Sequence, residues 1–140
     1  MNTLSEFRKN LTEMAAERGL RVHTWASGGR SSRNLLEIKT APKITILYVK
    51  EFNVLNKPGF WGLTKNQIKR LDTSAPSWFV VLLLRSNSAG YVLTSAQVAK
   101  RIADGSFELS GDGDFKVNEG LDLQPAEAFG SIEELLGRIL

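Results

Sequence analysis

The sequence predicts a single α/β domain with a mixed central sheet flanked by helices. Three observations predict it. Trp78–Leu84 is a run of seven apolar residues without alternation, which suits a strand covered on both faces and is short for a helix. Pro76 before it and Ser86-Asn87-Ser88-Ala89-Gly90 after it bound it as a strand. Asn34–Thr40 and Ile44–Phe52 read as two further strands, joined by a turn at Ala41-Pro42-Lys43. Helical patterns stand before, between and after these strands, an order that builds a layered α/β architecture. The 140 residues fit one domain, expected to span 1–140 with its core over about 3–103 and a C-terminal hairpin and helix over 104–140.

The elements follow in order. Residues 3–19 form a helix, because Leu4, Phe7, Leu11, Met14 and Ala15 recur at helical spacing. Thr3 and Glu6 have the spacing of a capping box, and Gly19 stops the helix. Leu20–Ala26 reads as a strand, and Ser27–Arg33 as a flexible loop whose glycines and arginines could wrap a phosphate. That loop lacks the spacing of a P-loop. In the strand 44–52, Ile44, Ile46, Tyr48, Lys50 and Phe52 share one face, and Thr45, Leu47, Val49 and Glu51 share the other. Its charged end suggests a sheet margin or a cleft. Asn53–Trp61 is a loop around Lys57-Pro58-Gly59. Thr64–Leu71 is a short helix capped by Thr64 and Gln67, with Ile68 and Leu71 facing inward.

Gly90–Leu93 pairs with the apolar strand, and Thr94–Ala103 is a helix. Phe107–Leu109 and Phe115–Val117 are short strands. Asp112 and Asp114 between them lack the further ligands of a calcium loop, so this segment reads as a hairpin turn. Ser131–Glu134 is another capping box, opening a last helix to Leu140.

Composition excludes several classes. A hydrophobic content of 42% with 24% charged residues is ordinary for a soluble globular chain. No apolar run approaches the roughly 20 residues that cross a bilayer. The charged, amphipathic N-terminus is unlike a signal peptide. The absence of cysteine removes disulfides and thiolate metal sites and agrees with a cytoplasmic location. His23 is the only histidine, and a lone histidine in a strand reads first as structural.

The order of elements, with the hairpin, the Lys50 strand end, the Gln67 helix and the Trp78–Leu84 strand, resembles the PD-(D/E)-x-K nuclease superfamily over about residues 3–103. The resemblance implies the restriction-endonuclease-like fold. It also implies a site where carboxylates on the second and third strands hold a divalent cation, usually Mg²⁺, beside a lysine. Lys50 matches that lysine. Tyr48 stands where the family has an acid or glutamine two residues earlier, and Glu37 stands in for the second-strand aspartate. Glu6 matches a helix glutamate of some members. Gln67 matches the glutamine of a Gln-x-x-x-Tyr helix, with Leu71 replacing the tyrosine. The resemblance therefore implies Glu37, Tyr48, Lys50 and Gln67 as the catalytic set, with Glu37 and Glu6 toward metal. Glu37-Ile38-Lys39 is a second E-x-K register. Outside a site, Lys50 reads as a strand-end lysine and Glu37 as an ion-pair partner of Lys50 or Lys39.

Charge is unevenly spread. Residues 1–70 hold thirteen Lys/Arg against five Asp/Glu, a balance of +8, and residues 71–140 hold five against ten, a balance of −5. This suits either a basic face for an anion or two halves that neutralise each other. Arg30, Arg33, Lys57, Lys65, Lys69 and Arg70 are expected to form a nucleic-acid-binding rim on the side where the Lys50 strand ends. The expected partner is nucleic acid, DNA ahead of RNA, with no membrane contact and with room for a homodimer. The expected function is a nuclease-like nucleic-acid-binding protein with weak or no catalysis. The alternatives are an Mg²⁺-dependent nuclease with an atypical site, and a protein-interaction module built on Trp25, Phe60 or Trp61.

Overall fold

A computed structural model describes residues 3–27, 29–40, 43–51, 60–84 and 88–140, with the backbone of Arg30. The expected α/β domain is found. The central sheet has six strands in the order β1 (Val22–Ser27), β2 (Arg30–Thr40), β3 (Lys43–Lys50), β5 (Trp78–Leu83), β6 (Gly90–Thr94) and β9 (Ala128–Phe129). Only β3 and β5 pair in parallel, so the sheet is mixed. A second sheet joins β4 (Phe60–Thr64), β8 (Asp114–Asn118) and β7 (Glu108–Leu109). The helices are α1 (Thr3–Glu17), α2 (Lys65–Ser74), α3 (Ser95–Ala103) and α4 (Ile132–Ile139), with a 3₁₀ turn at Pro125–Glu127. None among the described residues is long and apolar enough to cross a membrane.

The apolar strand is covered on both faces, as its composition requires. Trp78, Val80 and Leu82 of β5 enter one cluster with Leu35, Ile46, Tyr48, Ile68, Leu71 and Val98, beneath α2, α3 and the small sheet. Val81 and Leu83 enter the other with Leu36, Ile38, Leu47 and Val49, beneath α1 and α4. The alternation read along the third strand is thus the alternation observed. α1 ends in a Schellman motif: the Leu20 amide donates to the Ala15 carbonyl and the Gly19 amide to that of Ala16, with Gly19 at φ 73°.

Several boundaries differ from expectation. The loop 27–33 is mostly strand. Ser27 pairs with Arg30, so β2 starts three residues before the end of the expected loop, and cross-strand bonding overrides the weak propensity of its serines. The third strand ends at Lys50; residues 52–59 lie outside the described residues, as do Ala41 and Pro42 of the turn. Phe60 and Trp61, expected in a loop, begin β4, which pairs with β8 more than 50 residues later. The 104–140 segment is woven into the core, because β9 extends the central sheet and α4 packs in the α1 cluster. Two of the three aromatic residues proposed for a protein-interaction surface are not available for one: Trp61 is fully buried and its indole donates to the Leu83 carbonyl at 2.9 Å, and Trp25 is buried too. Half-buried Phe60 lies under the Lys116 ammonium at 5.0 Å.

Candidate nucleic-acid interface

Two elements wall a groove of about 840 Å³. Gly29 and Ser31 come from the β1–β2 hairpin tip, and Thr64, Gln67, Lys69 and Arg70 from the start and body of α2. Gly29, at φ 78°, turns the hairpin, a conformation costly for any side chain. Opposite it, α2 is amphipathic: Ile68 and Leu71 are buried, Lys65 and Lys69 exposed. The wall facing the groove is therefore hydroxyls, amides and cations.

Arg70 holds the two walls at a fixed separation. Its guanidinium lies 5.0 Å from the centre of the Trp25 ring and donates to the Ser27 carbonyl at 3.1 Å. A planar guanidinium can lie over a ring and still donate a hydrogen bond, a geometry available to arginine and not to lysine. Arg70 is half-buried, so its first role is to tie the hairpin to α2. Arg33 is exposed and paired with Glu51 at 3.6 Å, a surface pair worth little. Arg30 begins β2 next to the tip; Lys57 lies outside the described residues.

Of the residues expected to form a catalytic set, Glu37 and Lys50 are offset along the sheet. Glu37 and Lys50 lie on the same face of the sheet, but Glu37 pairs with Ile46, and Lys50 is four residues further along β3. At about 3.3 Å per residue this offsets their backbones by about 13 Å along the strand. Glu6 sits on α1, whose buried residues pack with Leu36 and Ile38, so it lies across the sheet from Glu37 between them. The Glu37–Glu6 metal pair is thus corrected by strand alternation alone. Every Asp, Glu and His of the chain is among the described residues, and among these no three stand close enough to hold a metal ion.

Tyr48 has a different task. It is fully buried, and its hydroxyl accepts from the amide of Thr64, the α2 N-cap, at 3.1 Å. Burial pushes its phenol above the usual value of 10.0 and keeps it neutral. The Thr64 side chain makes no capping bond, so the expected capping box with Gln67 is not formed; Gln67 is half-buried in the groove wall instead. Lys50 is half-buried at the β3 end, where the Asn34 amide closes the edge onto the Val49 carbonyl at 2.6 Å.

Ser31, Asn66, Thr73 and Ser74 also line the groove and escape a reading of charge alone. Their signal was their position, on the faces of residues already singled out in the hairpin and α2.

No protein-family model matches the sequence, and no curated protein matches it. Among solved structures, the chain is similar to Hjc, a Holliday junction resolvase of the archaeal hyperthermophile Archaeoglobus fulgidus. The TM-score is 0.56 at 17% identity, over 94% of this chain and 98% of that one. So long a match at so low an identity is a match of architecture. With the mixed sheet, the β3–β5 parallel pair and the flanking helices, it establishes that this chain shares the fold of that resolvase, the restriction-endonuclease-like fold expected from the sequence.

Proposed function

We propose that the chain is a nuclease-fold nucleic-acid-binding protein that grips the phosphate backbone along α2 and the β1–β2 hairpin, with weak or no cleavage of its own. The observation that carries this is the pairing of a cation-bearing groove with scattered carboxylates. Lys65 and Lys69 are exposed on one helix beside the groove, while Glu37 and Lys50 stand two side-chain rows apart on their strands. Lysines at this spacing neutralise phosphates without base selection. The similarity to a Holliday junction resolvase favours DNA over RNA and makes branched duplexes the first ligand to try. A homodimer would offer two such grooves to the arms of a branch, and a cytoplasmic location suits this role.

The reading as an Mg²⁺-dependent nuclease requires Glu37 and Lys50 to act in one site. The experiment is incubation of labelled duplex and four-way-junction DNA with Mg²⁺ or Mn²⁺, for wild type, Glu37→Ala and Lys50→Ala. The expected result is binding with negligible cleavage. Robust cleavage abolished by both substitutions, with melting temperature unchanged, would restore the nuclease reading.

A further inference from the structure

We propose that the cleft on the other side of α2, between α2 and α3, takes an unpaired nucleobase of the bound strand. The proposal rests on the nucleic-acid reading above and names its ligand class: strands with bases free to leave the stack.

The cleft has a volume of about 380 Å³ and is lined by Ile68, Trp78, Val98, Ile102 and Phe115. That falls in the range of roughly 300–1,000 Å³ over which proteins bind small ligands. Lys65 and Lys69 stand one helical turn apart on its rim, and Lys69 also lines the polar groove, so Lys69 stands between groove and cleft with Lys65 beside it on the cleft side. Asp72 lies on the same rim, one turn further. The three features ask for one kind of occupant. Apolar walls fit the flat face of a base, a carboxylate accepts from a base amino group, and two ammonium groups fit the phosphates on either side. A small apolar molecule would leave the lysines without a counter-charge. An intact duplex would use the lysines but leave the walls empty, because its bases face inward.

The probe is a short fluorescein-labelled single strand of mixed sequence, compared with an abasic strand of the same length and charge. Binding to the full chain is read by anisotropy at several salt concentrations. The normal strand should bind at least about tenfold tighter, the value of one accommodated base. Ala99→Trp, on the exposed α3 wall of the cleft, fills it without changing charge. It should bring the normal strand down to the abasic one and leave the abasic affinity and salt slope unchanged. Ala103→Trp, at another point on that wall, should do the same and serves if Ala99→Trp does not fold. Equal binding of the two strands by wild type, or a preference that survives both tryptophans, overturns the cleft while leaving the phosphate grip standing. Absence of binding to either strand at low salt overturns both.

Discussion

The two faces of the central sheet are built on different principles. The face under α1 and α4 is closed by apolar contact: Leu4, Phe7 and Leu11 meet Leu36, Ile38 and Leu47, and Leu135 and Ile139 complete the layer. The opposite face also has an apolar floor, but directed polar bonds set its geometry. Tyr48 holds Thr64, Trp61 holds the Leu83 carbonyl, and Arg70 holds the hairpin through Trp25 and Ser27. Burial is non-directional and supplies stability; hydrogen bonds are directional and fix position. The first face is therefore the support, and the second is where the groove and cleft are positioned.

This contrast can be broken or sharpened by substitution. The largest effect is expected from a carboxylate in either apolar layer. Leu47→Asp on the first face and Leu82→Asp on the second should each prevent folding, since an unpaired buried charge costs several kcal/mol or more against a total stability of about 5–15. A soluble variant with a cooperative melt at either site would show that the layer is not load-carrying. Smaller is the loss from Tyr48→Phe, which removes the acceptor of the Thr64 amide, for about 1 kcal/mol in denaturant unfolding. It also has a pH signature. The Tyr48 phenol is raised in the folded state, so its contribution is fully present below about pH 10 and falls as pH rises through the folded value. The Phe variant should lose less stability on that alkaline limb than wild type, and identical limbs would contradict the burial of the phenol.

Smallest in stability but specific in place is Arg70→Lys. It keeps the charge and loses the Trp25 stacking geometry and the hydrogen bond to Ser27, for about 0.5–1 kcal/mol. Amide exchange should speed up at the hairpin tip around Ser27 and Ser31 and stay unchanged in β5. Uniform exchange would mean that Arg70 does not tie the hairpin.

Much of the fold was legible because it rests on local patterns. The run Trp78–Val81–Leu84 needed two covered faces, and the alternation of Ile46 and Tyr48 against Leu47 and Val49 assigned them. What was not legible depends on distant partners. β4 is five residues with Gly62 at its centre, and β9 is two; each exists because β8 or β6 offers a ladder. Arg70 reads as one more helix cation until Trp25 and Ser27, over 40 residues away, are placed beside it. The offset between Glu37 and Lys50 has a subtler origin. Residue types at Glu37 and Lys50 suggested a centre, but the register of the hairpin decides which rows meet. Thr40 stands opposite Lys43 and hence Glu37 opposite Ile46, so the separation from Lys50 was already implied by where the pairing begins.

The central claim is that α2 grips phosphates through Lys65 and Lys69, while Arg70 serves the walls. It is tested most directly by titrating duplex and four-way-junction DNA at several salt concentrations, for wild type and for Lys65→Glu/Lys69→Glu. Wild-type affinity should fall steeply with salt, with a slope of about −0.9 per neutralised phosphate. The double variant should bind every sequence more weakly and lose about two phosphates' worth of slope, with an unchanged melt because glutamate is a comparable helix former. No binding by wild type at low salt, or the same affinity and slope in both proteins, would contradict the claim.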